Sequence, residues 1–234
     1  FEQYKDVKVR LGLQASYDDL QTEDSASAAL KKQNGTYSEL LGSYGFTFDQ
    51  RDKAFMPTSG SIFSFSQSLP LAADKSFITN TLSSSFYKSL SENVIGSAKI
   101  YLASIDGLGG DDVRISKRRG ISSSRLRGFE KNKVGPVDGS DHVGGNYVAS
   151  LNFETNLPNL LPENSNADIG LFLDFGNVWG VDYDSSIDES NEIRSSTGIT
   201  LNWLSPIGPL NFVVSQNLSK ADTDVTESFT FNLG

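Results

Sequence analysis

Ala167-Asp168-Ile169-Gly170-Leu171-Phe172-Leu173-Asp174-Phe175-Gly176-Asn177-Val178-Trp179 alternates along its length. Ile169, Leu171, Leu173 and Phe175 face one way, and Gly170, Phe172, Asp174 and Gly176 face the other. A period of two marks a β-strand whose two faces meet different surroundings. The first face is apolar. The second sets a carboxylate among an aromatic and two glycines, which leaves room beside Asp174 for an inserted group.

The same period recurs along the chain. Residues 7–17 oppose Val7, Val9, Leu11, Leu13, Ala15 and Tyr17 to Lys8, Arg10, Gly12, Gln14 and Ser16. Leu40, Tyr44, Phe46 and Phe48 oppose Ser43, Gly45, Thr47 and Asp49. After Pro57-Thr58-Ser59-Gly60, where proline presets φ and glycine accepts a positive φ, Phe63, Phe65, Leu69 and Leu71 alternate with Ser64, Ser66 and Ser68. Residues 94–108 set Ala98, Ile100 and Leu102 against Ser97, Lys99 and Tyr101, and residues 146–157 set Tyr147, Ala149, Leu151 and Phe153 against Val148, Ser150, Asn152 and Glu154. Strands at 197–204, 210–216 and 228–233 turn Ile199, Leu201 and Trp203, then Leu210, Phe212 and Val214, then Phe229, Phe231 and Leu233 outward. Two segments are less regular. In 77–90, Ile78, Leu82 and Phe86 lie four apart, as on one face of an amphipathic helix, while Thr79, Thr81, Ser83, Ser84 and Ser85 favour a strand. Residues 18–36, rich in Asp, Ser, Ala and Lys, read as a long hydrophilic loop with room for a helical turn or two within 25–32.

The 234 residues contain nothing resembling an interdomain linker, which favours one all-β domain. Hydrophobic residues make up 37%, mean hydropathy is -0.30, and no run approaches the ~20 apolar residues of a membrane helix. That excludes a helical membrane protein but not a barrel, in which only every second residue faces lipid. A net charge of -9 and a pI near 4.6 argue against a nucleic-acid partner. The absence of cysteine removes disulfides, thiolate metal sites and cysteine nucleophiles, and suits a bacterial envelope protein. Long polar loops alternate with short turns such as Ser205-Pro206-Ile207-Gly208-Pro209, and Tyr and Trp lie toward strand ends. That asymmetry favours an antiparallel transmembrane β-barrel of about ten strands over a soluble sandwich.

Residues 109–145 interrupt the alternation. They carry Arg114, Lys117, Arg118, Arg119, Arg125, Arg127, Lys131 and Lys133 around the core Arg125-Leu126-Arg127-Gly128-Phe129-Glu130. Loops this long without secondary structure of their own are functional or disordered. A basic loop on an acidic chain needs a partner, and Asp174, with space beside it, is the candidate.

Leu126-Arg127-Gly128-Phe129 resembles the valine-arginine-glycine-aromatic motif in the sixth extracellular loop of the outer-membrane assembly-factor superfamily. The resemblance continues in order through Phe48-Asp49-Gln50-Arg51-Asp52, Phe55-Met56-Pro57-Thr58-Ser59-Gly60, Val143-Gly144-Gly145-Asn146, Phe172-Leu173-Asp174-Phe175-Gly176-Asn177-Val178-Trp179, Ser205-Pro206-Ile207-Gly208-Pro209-Leu210 and Phe229-Thr230-Phe231-Asn232-Leu233-Gly234. A single tetrapeptide is weak; a series covering most of the chain from about Tyr44 onward is specific. Within the superfamily, the Ser-Pro-x-Gly-Pro-Leu turn and the Val-Gly-Gly-Asn approach look more like the barrel-assembly branch than the two-partner secretion branch.

The resemblance implies that these are about the last ten of some sixteen barrel strands. The opening at Phe1 without a methionine fits a piece of a longer protein, with the first strands and periplasmic repeats before it and a few residues of the last strand after Gly234. Such a piece is expected to form a curled, open or imperfectly closed sheet. The resemblance also folds the 109–145 loop into the lumen, with Arg127 stacked on Phe172 and forked onto Asp174, and Gly128, Phe129 and Gly176 completing the contact. Relatives often have an acidic residue where this chain has Asn152; Glu154 is the nearest carboxylate on that face, and a second arginine partner is left open.

By resemblance the function is that of a non-enzymatic insertase for outer-membrane barrels, with Phe229, Phe231, Asn232, Leu233 and Gly234 forming one side of a lateral seam whose short apolar band thins the bilayer. Its implied partners are unfolded barrel clients, assembly-machinery lipoproteins reached through the periplasmic repeats, and outer-membrane lipid and lipopolysaccharide; no cofactor, metal or nucleic acid is implied. The alternatives are a passive diffusion channel whose basic loop selects anions, and a related protein-secretion barrel of the same superfamily. A hydrolase is disfavoured, because His142 is the only histidine and no nucleophile setting surrounds it. The plain reading of Arg127 and Asp174 is solvated charge. Asp182, Asp184, Asp188 and Glu189 crowd a loop, but Ile187 and Ile193 stand where a calcium loop needs glycine and glutamate, so that loop reads as solvated. Asn34-Gly35-Thr36 and the glycines 107, 109 and 110 carry no weight as motifs.

Overall fold

The computed structural model describes residues 6–187 and 192–233. Its strands are β1 (Val7–Leu20), β2 (Gly35–Asp49), β3 (Gly60–Ala73), β4 (Phe77–Ser91), β5 (Val94–Gly107), β6 (Val137–Asp138), β7 (Asp141–His142), β8 (Tyr147–Leu157), β9 (Ala167–Trp179), β10 (Arg194–Ser205), β11 (Gly208–Ser219) and β12 (Phe229–Leu233). β6 and β7 form a small hairpin within the long loop; the other ten make one sheet in the order β1-β2-β3-β4-β5-β8-β9-β10-β11-β12. Each pairs antiparallel with its neighbour. Among the described residues β1 and β12 are each paired on one side, so the sheet is open, as expected for part of a barrel.

The sheet is also curled. Tyr87 and Lys99, on β4 and β5, line the same cavity of about 330 Å³ as Asn211 and Asn232, on β11 and β12. In a flat sheet about six spacings of ~4.8 Å would separate β4 from β12. The two faces are sorted inside-out relative to a soluble protein. Outward Leu11, Phe46, Leu102, Leu171, Ile199 and Phe231 are exposed, whereas inward Ser150, Asn152, Asp174, Ser196 and Thr200 are buried. Lipid solvates the first set, and hydrogen-bonding neighbours satisfy most of the second. Outward rings pair across strands: Phe46 with Phe65 at 5.5 Å, Phe212 with Phe231 at 5.0 Å, and Tyr147 with Trp179 at 5.8 Å near one end.

Several elements differ from the sequence reading. Residues 18–36 are not one loop: β1 continues to Leu20 and β2 starts at Gly35, with Asp18 opposite Tyr37 and Asp19 opposite Thr36. Ladder hydrogen bonds need no apolar side chains, so a strand can run on past its alternating part. Between them lies one helical turn, α1 (Ala28–Lys31), whose Leu30 amide donates to the Ser27 hydroxyl at 3.1 Å and whose Leu30 side chain is buried. Residues 77–90 are strand; a spacing of four is even and keeps Ile78, Leu82 and Phe86 on one face. β10 begins three residues earlier than its apolar alternation, at Arg194. Leu210 is buried, not exposed, flanked in register by Trp203 and Leu233.

Loop lengths sort less cleanly than expected. The connections 92–93 and 206–207 are two-residue turns, but 50–59 and 158–166 lie at the same end, and the short 74–76 lies at the other. The 50–59 segment folds back on itself, since the Asp52 carboxylate accepts from the Thr58 amide at 2.9 Å and hydroxyl at 2.7 Å and from the Ser59 amide at 3.2 Å. Its Phe55 and Met56 help to line the inner cavity.

Candidate functional site

The long loop lies on the inner face of the sheet, and Arg127 is 8% exposed, not a solvated charge. Its Nε donates to Asp174 Oδ2 and its Nη2 to Asp174 Oδ1, both at 2.7 Å, and its backbone amide donates to Oδ2 at 3.1 Å. The fork matches the guanidinium edge to the carboxylate. Nη1 donates to Glu154 Oε2 at 3.0 Å, so Glu154 is the second carboxylate partner. The guanidinium carbon lies 3.8 Å from the centre of the Phe172 ring, within cation–π range. The Arg127 carbonyl accepts from the Ser196 hydroxyl on β10.

Alternation places these groups together. Glu154 and Phe172 are register partners on β8 and β9, as are Asn152 and Asp174, and Ser196 sits opposite Asp174 on β10. Asn152 donates to the Arg125 carbonyl at 2.8 Å, and Arg125 stacks 3.7 Å from the Tyr101 ring. Leu126 and Phe129 are buried with Ala103, Ile121, Val134, Val148 and Val178. Gly176 makes this packing possible: a Cβ there would lie 2.8 Å from Ile121 Cδ1. Gly128 has φ of +89°, and its carbonyl accepts from Asn217 Nδ2 at 2.8 Å.

Three further ionic anchors escaped the sequence reading. Arg114 is buried, stacks 4.1 Å from the Tyr37 ring, and pairs with Asp18 at 3.5 Å and Glu39 at 3.8 Å. Lys117 pairs with the same two carboxylates, and Ser16 donates to Glu39 at 2.6 Å. Arg118 pairs with Asp182, which also accepts from the Val113 amide at 2.9 Å and from Asn146 at 3.0 Å. Asp182 is exposed, as the loop reading expected, but it is also engaged in these contacts; Asp188 and Glu189 lie outside the described residues. The third anchor joins Arg194 and Asp224. Surplus positive charge in the loop signals such partners, but their positions lie far off in sequence. His142 lies in the β6–β7 hairpin, its Nε2 2.9 Å from the Thr223 carbonyl oxygen.

Along β12, Phe229 and Phe231 are exposed on the outer face, and Asn232 lines the inner cavity. Leu233 is in the same strand, and Gly234 lies outside the described residues.

A curled antiparallel sheet, apolar outside and polar inside, with a basic loop clamped to its inner face, is the wall of an outer-membrane β-barrel. The chain belongs to the Omp85 superfamily, whose domain it matches over residues 1–234. It is similar to the outer membrane protein assembly factor BamA of Neorickettsia risticii, at 26% identity over 234 residues, which covers 97% of this chain and 31% of that protein. The BamA proteins of Nitratidesulfovibrio vulgaris and Neisseria meningitidis serogroup B are 27% and 25% identical, covering 93% and 82% of this chain and 28% of each relative. The chain thus spans under a third of the length of these relatives. In fold it resembles the crystal structure of Haemophilus ducreyi BamA lacking POTRA domains 1–3, with a TM-score of 0.85 at 23% identity, over 97% of this chain and 51% of that one. The likeness to CdiB of Acinetobacter baumannii is weaker, with a TM-score of 0.56 at 12% identity over 85% of this chain and 33% of that one.

Proposed function

We propose that the chain is the C-terminal part of the membrane barrel of a non-enzymatic insertase, which assembles β-barrel proteins into the bacterial outer membrane through a lateral seam beside β12. The role of the relatives as outer-membrane protein assembly factors supports this reading. The observation that carries it is a contrast in pairing. β11 pairs with β10 as far as Ser219, but its ladder with β12 begins only at Val214 opposite Phe229, because residues 225–227 bond to the arginine loop instead. In lipid every unpaired backbone group is costly, so a strand whose ladder stops short at that end detaches there more readily than its neighbours, and its edge then templates a client strand. Phe229 and Phe231 give that edge a short apolar band, and Asn232 faces the inside.

In this reading Arg127, Gly128 and Phe129, seated on Glu154, Phe172, Asp174 and Gly176, hold the rest of the wall together while the seam opens. The partners are unfolded barrel clients, assembly-machinery lipoproteins docked on periplasmic repeats N-terminal to this region, and outer-membrane lipid and lipopolysaccharide; neither a cofactor nor a nucleic acid is needed. An anion-selective channel would need cations facing the pore without counter-charges. Of the loop's eight basic residues, Arg114, Lys117, Arg118 and Arg127 are paired with carboxylates, which counts against such a channel. The test is to reconstitute the full-length wild type and Arg127→Ala in liposomes and time the folding of an unfolded client barrel. Acceleration by the wild type and its reduction in the variant are expected. A wild type that conducts ions steadily without speeding client folding would sink the proposal.

A further inference from the structure

The connection 220–228 leads from β11 into β12, and it does not simply turn back. From Ser228 onward the chain follows β11: the Ser215 amide donates to the Ser228 carbonyl at 2.9 Å, and Phe229 lies opposite Val214. Just before that, residues 225–227 leave β11 and join the arginine loop. Glu130 N donates to Val225 O at 3.0 Å, Val225 N to Lys133 O at 3.1 Å and Glu227 N to Gly128 O at 3.1 Å, and Thr226 is bridged to Phe129. Gly128 O also accepts from Asn217 on β11. The glycine of the motif is therefore wedged between β11 and the segment that becomes β12. A side chain has little space there: a Cβ on Gly128 would lie 3.1 Å from Asn217 Nδ2 and 3.2 Å from Ser215 Oγ.

A buried ion pair holds 225–227 in place. Arg194, fully buried at the start of β10, donates from Nε to Asp224 Oδ2 at 2.9 Å and from Nη2 to Asp224 Oδ1 at 3.1 Å. Its Nη1 donates to Asn177 Oδ1 on β9 at 2.7 Å, and Asp224 Oδ2 accepts from the Ala221 amide at 2.7 Å. The network joins β9, β10 and the connection one residue before the inter-loop ladder begins. Buried ion pairs add little net stability over well-packed apolar groups, whereas a forked pair fixes geometry.

We propose that Arg194 and Asp224 are positioning residues for the seam, holding 225–227 against the arginine loop so that the placement of β12 depends on the seating of Arg127; this rests on the insertase reading. Neither residue touches a client. Each acts through the ladder between the two loops.

The test uses the full-length protein in lipid, comparing wild type, Asp224→Asn, Arg194→Lys and Val225→Pro by hydrogen–deuterium exchange and by client folding. Asp224→Asn keeps the volume but loses the charged fork; Arg194→Lys keeps charge without the fork; Val225→Pro removes a ladder donor and leaves the ion pair. The expected result is exchange faster by about tenfold or more in 128–133 and in β12, with β1 to β5 at the wild-type rate, and slower client folding. Arg194→Lys should fall between wild type and Asp224→Asn. A β12 that stays protected while 225–227 exchanges freely would overturn the proposal, as would acceleration spread evenly over the sheet, the mark of a merely structural pair. If Asp224→Asn does not fold, Val225→Pro decides on the same readout. A wild type inert toward clients refutes the insertase reading, while the exchange pattern still reports whether the two loops and β12 are coupled.

Discussion

Asp174 receives the Arg127 side chain through two hydrogen bonds of 2.7 Å, and its carboxylate is completely shielded from solvent. A carboxylate so placed depends on its counter-charge. Removing one partner of a buried pair leaves the other uncompensated, at a cost of about 3–5 kcal/mol. Arg127→Ala and Asp174→Asn are each expected to destabilise the lipid-embedded barrel by that order, read as a lower urea midpoint at unchanged m, and Arg127→Lys by less. A double variant whose loss matches either single loss identifies the pair as one unit; additive losses would show that the two act separately.

The aromatic of the motif works by volume. Phe129 is 1% exposed and packed among Leu126, Ile121 and Val178, so Phe129→Ala should cost about 3–5 kcal/mol through lost burial and the cavity left behind. Gly176→Ala has the opposite geometry and a similar consequence, because its Cβ would stand 2.8 Å from Ile121 Cδ1. Overpacking of this kind costs about 1–3 kcal/mol. Unfolding midpoints of the two variants check both, and a silent Gly176→Ala would show that the loop has room to shift.

What could be read from the sequence divides along physical lines. Period-two alternation exposed the strands of the membrane wall, since lipid on one side and polar groups on the other leave a local pattern. Asp174 stood out because Phe172, Gly170 and Gly176 share its face. Strand ends beyond the apolar zone, as at Asp18 and Asp19, carry no alternation and read as loop. Arg194 fell outside the expected strand for the same reason, and with it went the link to Asp224, 30 residues away. The Arg114 anchor on Glu39 bridges β3, β4 and β5 in sequence, so tertiary curvature alone brings it together.

Asp52 provides a pH test away from the membrane-spanning strands. The Thr58 hydroxyl, joined by the Ser59 and Thr58 amides, holds its carboxyl at about 2, down from the usual 3.8. With the folded-state value depressed, the stabilisation is complete above the ordinary carboxylate range and is lost as pH falls through about 2. A carbon-13 titration of the Asp52 carboxyl should show that midpoint. Asp52→Asn should speed exchange of the Thr58 and Ser59 amides already at neutral pH. A midpoint at the usual value would mean the 50–59 connection is not closed in solution.

Asn152 and Glu154 divide between them what two carboxylates cannot share. Asn152 donates its amide to the Arg125 carbonyl at 2.8 Å and is the register partner of Asp174, while Glu154 takes the remaining Arg127 bond at 3.0 Å and lies 3.5 Å from Lys99. Asn152→Asp would replace that donor with a carboxylate oxygen, an acceptor facing the Arg125 carbonyl oxygen, and add a third negative charge beside a single forked arginine. The expected loss is about 1–3 kcal/mol, the penalty of an unsatisfied buried polar group, and it should grow as pH rises and the new carboxyl ionises. Glu154→Gln in the same background removes the surplus charge and should recover part of that loss, although Glu154→Gln alone weakens the Arg127 seat. Opposite signs for one substitution in two backgrounds form a double-mutant cycle that urea unfolding can resolve. If Glu154→Gln is equally destabilising in both, charge balance around Arg127 is not what selects the amide at position 152.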